Sequence, residues 1–344
     1  MDTLSPLEKD IKYFLNKSVL LYGASGSGKS TVLLEILHIL KEEVPLAFVF
    51  SLTADDNNAF EKIIPRPMIN TTVDIKLLHK IYHRQQAATR IYNMVSNRQF
   101  LKELFMKVAS HDDISKMEKA HRNAENIIEK KKSEPQGIGL EKNIISIRDE
   151  FLSKLYKYVI RNNKKRLLNM NITETDRYII KYLDFNPHCI IVFEDCGVLL
   201  KQFQKDETVL KILFQGRHNY ISAIMTLQDD SGVDSGLKKN AFISIFTTET
   251  VASAYFDRHS NNFSKREKER AKNVINTTFS NGPGNTHRKL VYLRNDPDPF
   301  RYTVANIYGN FRFGCEALWD MCDRLQSSKK KDISKDPLMS AFAL

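Results

Sequence analysis

The sequence predicts an α/β fold in which helices flank a mostly parallel β-sheet, interrupted by a large helical insertion. A glycine-rich loop lies between an apolar run and a helical pattern near the start of the chain. Apolar runs alternate with helical patterns in residues 15–55 and again in 186–260. The segment between about 76 and 183 is polar, rich in Lys and Arg, and lacks strong β-patterns. Alternating strands and helices are typical of parallel sheets.

The first strand–helix–strand unit lies at the start of the chain. Residues 18–22 form an apolar run that ends at Gly23, and residues 30–41 are dense in apolar positions without Gly or Pro, which predicts a helix packed on a sheet. Pro45 interrupts this pattern, and residues 46–51 predict a second buried strand. A crossover of this kind brings the second strand back parallel to the first.

Later apolar runs predict the rest of the sheet. Three core strands are expected at 189–193, 221–227 and 242–246, and a β-hairpin at 289–294 and 301–308. We predict one α/β domain over residues 1–312 that includes the insertion. A C-terminal helix and a flexible basic tail are predicted over 313–344.

Composition narrows the possible partners. The 344 residues carry a formal net charge of +11, which favours polyanions such as DNA or RNA, although an anionic membrane surface or an incidentally basic surface also fits. No apolar run reaches the roughly 18 residues of a membrane span, and no secretory signal is visible. The four cysteines match no zinc-site spacing, so a reducing compartment is expected.

Residues 23–30, Gly-Ala-Ser-Gly-Ser-Gly-Lys-Ser, match the phosphate-binding motif G-x-x-x-x-G-K-[ST] completely. The glycines let backbone amides converge on phosphates, and the following helix adds its dipole. Lys29 is expected to reach the β- and γ-phosphates and Ser30 to coordinate Mg²⁺. The predicted cofactors are ATP and Mg²⁺, and the predicted fold is that of a P-loop NTPase. The predicted nucleotide-binding residues are Gly23, Ala24, Ser25, Gly26, Ser27, Gly28, Lys29, Ser30 and Thr31.

Two acidic residues follow the buried run at 190–193. A carboxylate at such a strand end can hold Mg²⁺ beside the phosphate loop, and a second one can polarise the attacking water. By position, Glu194 takes the metal role and Asp195 the water role. The usual order is Asp then Glu, so the division of roles stays open, and a coincidental acidic strand end is the alternative.

Two further candidates lie on either side of the run at 221–227. Gln228 directly follows it, where a polar side chain can sense the γ-phosphate or be a neutral loop residue. Arg217 precedes it beside His218, which is expected to be structural. The Arg217 guanidinium is a candidate arginine finger supplied to a neighbouring subunit, or else a partner of a carboxylate or DNA phosphate. Weaker candidates for the finger are Arg66, Arg84 and Arg258.

The acidic strand end Ile-Ile-Val-Phe-Glu-Asp-Cys at 190–196 is followed by Phe-Gln-Gly-Arg-His-Asn-Tyr-Ile-Ser-Ala-Ile-Met-Thr-Leu-Gln at 214–228. This combination resembles the DNA-packaging ATPases of nucleocytoplasmic large DNA viruses, a branch of the FtsK/HerA class of ASCE-type P-loop NTPases. Residues 238–246 also resemble that family's last core strand. The pair Glu194-Asp195 departs from the family's commoner Asp-Asp. No signature of an ABC transporter subunit is present, and the long insertion is unlike a compact nucleotide kinase.

The resemblance implies an ATP hydrolase that translocates double-stranded DNA and packages viral genomic DNA into a capsid. Such proteins form homo-oligomeric rings, here a pentamer or hexamer, and act with viral capsid or packaging-vertex proteins. The implied location is the viral factory in the host cytoplasm, and the virion. The alternatives are another P-loop enzyme, such as a helicase or nucleotide kinase, and a nucleotide-gated DNA-binding scaffold with little turnover.

Overall fold

The computed structural model describes residues 4–52, 60–131, 137–197, 202–203, 205–231, 235–280 and 287–333. The chain forms two compact units. The core unit comprises residues 1–86 and 187–344, and the insertion unit comprises residues 87–186.

In the residues described above, the strands of the core unit form one nine-stranded sheet. Its strands are β1 Ser5–Pro6, β2 Ser18–Tyr22, β3 Ala47–Ser51, β4 Ile69–Asn70, β5 Cys189–Glu194, β6 Ile221–Leu227, β7 Ile243–Phe246, β8 Arg288–Leu293 and β9 Phe300–Val304. Their order across the sheet is β1-β9-β8-β7-β2-β6-β5-β3-β4.

The five strands predicted from the apolar runs form the centre of this sheet, in the order β7-β2-β6-β5-β3, and all of them are parallel. Nearly every residue in them is buried, because helices cover both faces of a parallel sheet. Strand β8 runs antiparallel to β7, and β9 runs antiparallel to β8. The predicted hairpin is therefore present and extends the same sheet. The predicted α/β class with a mostly parallel sheet is confirmed.

Twelve α-helices have bounds in the described part of the chain. In chain order they are α1 Lys29–Leu40, α2 Ile75–Val95, α3 Arg98–Val108, α4 His111–Lys131, α5 Gly137–Asn162, α6 Lys164–Leu168, α7 Glu174–Lys181, α8 Glu207–Gln215, α9 Ser235–Asn240, α10 Glu249–Asp257, α11 Lys265–Phe279 and α12 Glu316–Ile333. None of these helices is long and apolar enough to cross a membrane.

Helices of the core unit bury apolar residues against the two faces of the sheet. Helix α1 packs in a cluster with Val19, Val291 and Leu293 on one face. Helices α8, α10 and α11 contribute to a cluster with Tyr22 and Phe246 on the other face. The sheet is therefore the middle layer, and the carboxyl ends of its parallel strands meet at one edge.

The insertion unit has a hydrophobic cluster of its own, to which α3, α5 and α7 contribute Leu104, Phe105, Tyr156 and Ile179. The sequence places the insertion at about 76–183 and inside the core domain, whereas residues 87–186 form the compact unit. The difference at the first boundary arises because the composition changes at the start of α2, whereas the boundary between the units falls within this helix, after Gln86. A change to polar residues in the sequence indicates an exposed surface, whereas a compact unit is defined by the contacts between its residues.

The C-terminal helix predicted after residue 312 is present as α12. The helix continues to Ile333, so it includes residues from 327 onward, where the sequence predicts the flexible basic tail. Residues 334–344, the rest of that predicted tail, lie outside the described residues.

Candidate nucleotide-binding site

The phosphate loop, residues 23–30, connects β2 to α1 at the edge where the parallel strands end. The Gly23 amide donates a hydrogen bond to the Leu227 carbonyl at the end of β6, over 3.0 Å. Gly28 is the N-cap of α1, with φ at 92°, a left-handed conformation that glycine adopts without a steric penalty. The loop therefore passes directly into a helix N-terminus, whose free amides attract anions.

Gly23 is required by a close approach of Thr247. A Cβ atom at position 23 would lie 1.7 Å from the Thr247 Oγ1. Thr247 follows β7, and its hydroxyl donates to the Tyr22 carbonyl over 3.0 Å and lies 2.6 Å from the Ser27 Oγ. Thr247 therefore contacts both Tyr22, directly before the loop, and Ser27, within it. Sequence reasoning missed it, because it lies 220 residues from Ser27 and belongs to no local motif.

The Lys29 side chain curls over its own loop. Its Nζ donates to the carbonyls of Gly23 and Ala24, at 2.7 and 3.1 Å, and lies 4.0 Å from the Asp195 Oδ1. The residue is only 6% exposed. The loop therefore holds a buried positive charge at its centre, as the motif predicts.

Glu194 lies beside Ser30. Its Oε1 accepts a hydrogen bond from the Ser30 hydroxyl (3.2 Å), and its Oε2 accepts one from the Ser51 hydroxyl (2.8 Å). Ser51 is the direct neighbour of Glu194 in the pairing of β3 with β5. Burial raises the pKa of the Glu194 carboxyl, and the two hydroxyl hydrogen bonds oppose that rise.

Asp195 points toward Lys29 instead. Its φ of 50° lies in the left-handed region, which Asp tolerates better than most residues. Its amide donates to the Thr226 Oγ1 over 3.0 Å, and the Thr226 hydroxyl donates back to the Asp195 Oδ1 over 3.4 Å. The two adjacent carboxylates thus diverge, with Glu194 beside Ser30 and Asp195 beside Lys29. This arrangement favours the predicted division of roles, which stays a prediction.

The oxygen atoms at this edge fit Mg²⁺. Magnesium is commonly bound by one or two carboxylates together with substrate phosphates and water. The Ser30 hydroxyl and the Glu194 carboxylate lie 3.2 Å apart and could serve one ion together. Among the described residues, no group of three or more His, Cys, Asp and Glu side chains is assembled as an alternative ligand set.

Gln228 lies next to the loop. It directly follows Leu227, whose carbonyl accepts the Gly23 amide, and its side chain is exposed. The backbone therefore brings Gln228 to the correct edge for sensing a phosphate, and the sensing role remains a prediction.

Arg217 lies at the opposite edge. It occupies a 3-10 turn, Gly216–Asn219, before β6, and its exposed side chain donates to the His218 Nε2 over 3.4 Å. The seven residues of β6 separate it from the loop, a span of roughly 23 Å at about 3.3 Å per residue. Arg217 therefore cannot reach the phosphate loop of its own subunit.

The three weaker arginine candidates have partners within the core unit. Arg66 forms an ion pair with Glu61 over 3.0 Å, and Arg84 donates to the Gln85 side chain over 2.8 Å. Arg258 pairs with the buried Asp230 over 2.7 Å. Only the contact of Arg258 involves a buried carboxylate, and the role of each arginine as a finger stays a prediction.

Comparison with known proteins gives relatives of the whole chain. Over 347 aligned positions the chain is 28% identical to proteins described as uncharacterized protein B354L in two isolates of African swine fever virus, one from a pig in Kenya and one from a warthog in Namibia. Each alignment covers 96% of this chain and 94% of the relative. No protein-family model matches the chain.

Among solved structures, the chain is similar to the genome packaging NTPase B204 of Sulfolobus turreted icosahedral virus 2 in complex with ATP-gammaS, with 12% identity, a TM-score of 0.41, and coverage of 87% of this chain and 100% of that one. It is also similar to EssC ATPases 2 and 3 of Geobacillus thermodenitrificans, with 13% identity, a TM-score of 0.37, and coverage of 93% and 45%.

African swine fever virus is a nucleocytoplasmic large DNA virus, and a relative there spans nearly the whole chain. The loop, the acidic strand end and the parallel sheet are those of a P-loop NTPase. The chain therefore has the fold and the phosphate loop of a P-loop NTPase, and it is similar along nearly its full length to a protein of a nucleocytoplasmic large DNA virus.

Proposed function

We propose that this protein is an ATP hydrolase that forms a ring and drives double-stranded viral DNA into a capsid. The observation that carries the ATPase part is the convergence of Lys29, Ser30, Glu194 and Asp195 at the carboxyl edge of the parallel sheet. Side chains from two strand ends that are far apart in sequence meet there with the charges that phosphoryl transfer needs.

The chain's own residues account for the chemistry as follows. The loop amides and the N-terminus of α1 bind the phosphates, and the Lys29 ammonium exchanges its carbonyl partners for phosphate oxygens. Asp195, whose Oδ1 lies 4.0 Å from the Lys29 Nζ, would orient a water molecule toward the γ-phosphate. Ser30 and Glu194 would hold Mg²⁺, which supplies charge neutralisation to the phosphates when it is bound.

The proposal that the protein acts on DNA rests on the positive charge of the insertion unit and on the resemblance to DNA-packaging ATPases. The insertion unit holds 20 of the 52 Lys and Arg residues but only 13 of the 41 Asp and Glu residues, so it carries +7 of the net charge of +11. Three adjacent basic residues, Lys164, Lys165 and Arg166, are exposed on α6. A basic surface of this kind binds phosphate backbones without regard to sequence.

The ring part rests on the position of Arg217. An arginine finger must reach the γ-phosphate, and the distance along β6 prevents this within one subunit. A finger role for Arg217 therefore requires a second copy of the chain. Capsid or packaging-vertex proteins, and a location in the viral factory or virion, belong to the same proposal.

The test is ATP hydrolysis measured alone, with short duplexes and with long duplex DNA, using Lys29→Ala as the inactive control. Hydrolysis stimulated most by long DNA supports a translocase. Turnover that requires a nucleotide acceptor and ignores DNA would indicate a nucleotide kinase. Nucleotide binding without turnover, with or without DNA, would indicate a scaffold and contradict the proposal.

A further inference from the structure

Lys289 reaches the phosphate loop from the antiparallel part of the sheet. It is the second residue of β8, which runs antiparallel to β7 and therefore begins at the edge where the parallel strands end. Side chains alternate along a strand, so Lys289 shares a face with Val291 and Leu293. Those two residues belong to the cluster around α1. Lys289 thus lies on the face of β8 that packs toward α1, at the end of the strand nearest the phosphate loop.

The ammonium group of Lys289 contacts the loop itself. Its Nζ donates to the Ser27 carbonyl over 2.9 Å. A Cβ atom built on Gly28 would lie 3.6 Å from both the Cε and the Nζ of Lys289. The side chain is half-buried, and burial lowers the pKa of its ammonium group. Within the described ranges, no ion pair joins Lys289 to a carboxylate.

A half-buried ammonium without an anionic partner is costly, and one carbonyl satisfies only one of its three N–H donors. The groups beside it, the backbone of Ser27 and Gly28, belong to the segment that cradles phosphates in this motif. A bound polyphosphate would supply the missing negative charge. The flexible stem of a lysine lets its ammonium move from the Ser27 carbonyl to a phosphate oxygen.

We infer that Lys289 is a second phosphate-binding lysine of the nucleotide site, which acts together with Lys29 on the polyphosphate of the same subunit. The inference rests on the proposed function in one respect, that the loop binds a nucleotide. It adds a residue that lies 260 positions from Lys29 and that the phosphate-binding motif does not include.

The test compares Lys289→Met, Lys289→Arg and the control Lys17→Met. Lys17 directly precedes β2, at the opposite edge of the sheet, and its Nζ lies 4.2 Å from the centre of the Phe242 ring. Replacing it removes the same charge from the same sheet. The readouts are the affinities for ATP and ADP by calorimetry, the KM and kcat for ATP, and the thermal midpoint without nucleotide.

We expect Lys289→Met to weaken ATP and ADP binding by about tenfold to a hundredfold, the range for a hydrogen bond to a charged group. KM should rise more than kcat falls, because the lysine stabilises the ground state and the transition state alike. Lys289→Arg should retain most of the affinity, and Lys17→Met should bind as the wild type does. The thermal midpoint of nucleotide-free Lys289→Met should not fall, since no anion is paired with Lys289 there.

Two results would overturn the inference alone. One is wild-type nucleotide affinity in Lys289→Met while Lys29→Ala loses binding. The other is a lowered thermal midpoint of nucleotide-free Lys289→Met that Lys289→Arg does not restore. Lys289 would then stabilise the folded loop and would not bind phosphate. Failure of the wild-type protein to bind nucleotide would overturn both this inference and the proposed function.

Discussion

Lys29 carries the charge at the centre of the loop, and its replacement tests the nucleotide site most directly. In Lys29→Ala we expect ATP hydrolysis to be lost and nucleotide affinity to fall by at least about tenfold, because the variant removes the main side-chain charge on the β- and γ-phosphates. Lys41→Ala is the control, because Lys41 follows the last residue of α1, at the other end of the helix. Calorimetry with ATP and a phosphate-release assay give the two readouts. Normal turnover in Lys29→Ala would contradict the assignment of the site.

The divergence of the two carboxylates predicts different defects. Asp195→Asn should bind ATP but hydrolyse it at least about a hundredfold more slowly, since a group that acts only on the attacking water serves the transition state. Glu194→Gln should mainly weaken the Mg²⁺-dependent part of ATP binding, because Glu194 lies beside Ser30. Titrating Mg²⁺ at fixed ATP separates the two effects. If the two variants exchange these defects, the assigned roles are reversed.

The sequence predicts those residues of the site that belong to a short motif, and it misses those that reach the site through long-range strand pairing. Lys29 and Ser30 lie within an eight-residue motif whose chemistry is set by its own backbone, so the sequence sufficed for them. Thr247 and Lys289 reach the loop only through the pairing of β7 with β2 and of β8 with β7. No local pattern in the sequence carries that information. The position of Arg217 could be predicted from the sequence. Because Arg217 precedes a parallel strand, it has to lie at the edge of the sheet opposite the phosphate loop.

Among the single elements, helix α7 of the insertion unit depends on one buried carboxylate. Asp176 completes a capping box with Thr173 at the start of α7 and accepts a hydrogen bond from the Lys107 Nζ over 2.8 Å. Burial on its own would raise the pKa of Asp176, but the hydrogen bonds from Lys107 and Thr173 outweigh it, so the pKa lies below its ordinary value of 3.8.

We predict that Asp176→Asn lowers the free energy of unfolding by about 1–3 kcal/mol at neutral pH, since it weakens a cap and a charged hydrogen bond. Glu174→Gln, a change at an exposed residue in the same first turn, should lower the free energy of unfolding by only a few tenths of a kcal/mol, or about 0.3 kcal/mol. Because the pKa is depressed in the folded state, the contribution is present above pH 3.8 and is lost as the pH falls through the folded pKa. Denaturant unfolding at several pH values measures this, and a difference between variant and wild type that persists at the lowest pH would contradict the ion-pair explanation.

The elements themselves were largely predictable. The five apolar runs became the five parallel strands, because a strand buried on both faces has to be apolar throughout. The pairing of the β8–β9 hairpin with β7 was not predictable, since the apolar pattern of a strand does not specify which strand it pairs with. The boundary of the insertion was also displaced, because α2 runs without interruption from one unit into the next.

At the scale of the whole molecule, the charge of the insertion unit predicts how DNA binding depends on salt. Replacing Lys164, Lys165 and Arg166 with Gln removes cations that can neutralise up to three DNA phosphates. The slope of log affinity against log salt should therefore flatten by about 0.9 for each phosphate that is no longer neutralised. Fluorescence anisotropy with duplex DNA over a salt series measures the slope.

The control for this experiment replaces Lys116 and Arg122 with Gln. Both residues are exposed on α4, but each lies four residues after a carboxylate with which it pairs, Asp112 at 2.6 Å and Glu118 at 3.8 Å. Cations that are already paired in this way should change the slope less when they are replaced. Basal ATP hydrolysis should survive in both variants. An unchanged slope in the variant of α6 would exclude that helix from the DNA-binding surface.

The position of Arg217 predicts that one complete site is divided between two subunits. Arg217→Ala should bind ATP and DNA but lose hydrolysis, because a finger acts on the charge of the transition state. Lys29→Ala lacks the loop charge but keeps its arginine. In a mixed ring, an Arg217→Ala subunit supplies an intact loop, and a neighbouring Lys29→Ala subunit supplies an intact finger. Some hydrolysis should therefore return on mixing two inactive proteins, measured by phosphate release across a series of mixing ratios.

The double variant Lys29→Ala/Arg217→Ala mixed with either single variant should stay inactive, since every site then lacks either the loop lysine or the finger. If mixed rings remain inactive under conditions in which wild-type rings form, Arg217 serves its own subunit's structure, because β6 already keeps it away from its own nucleotide.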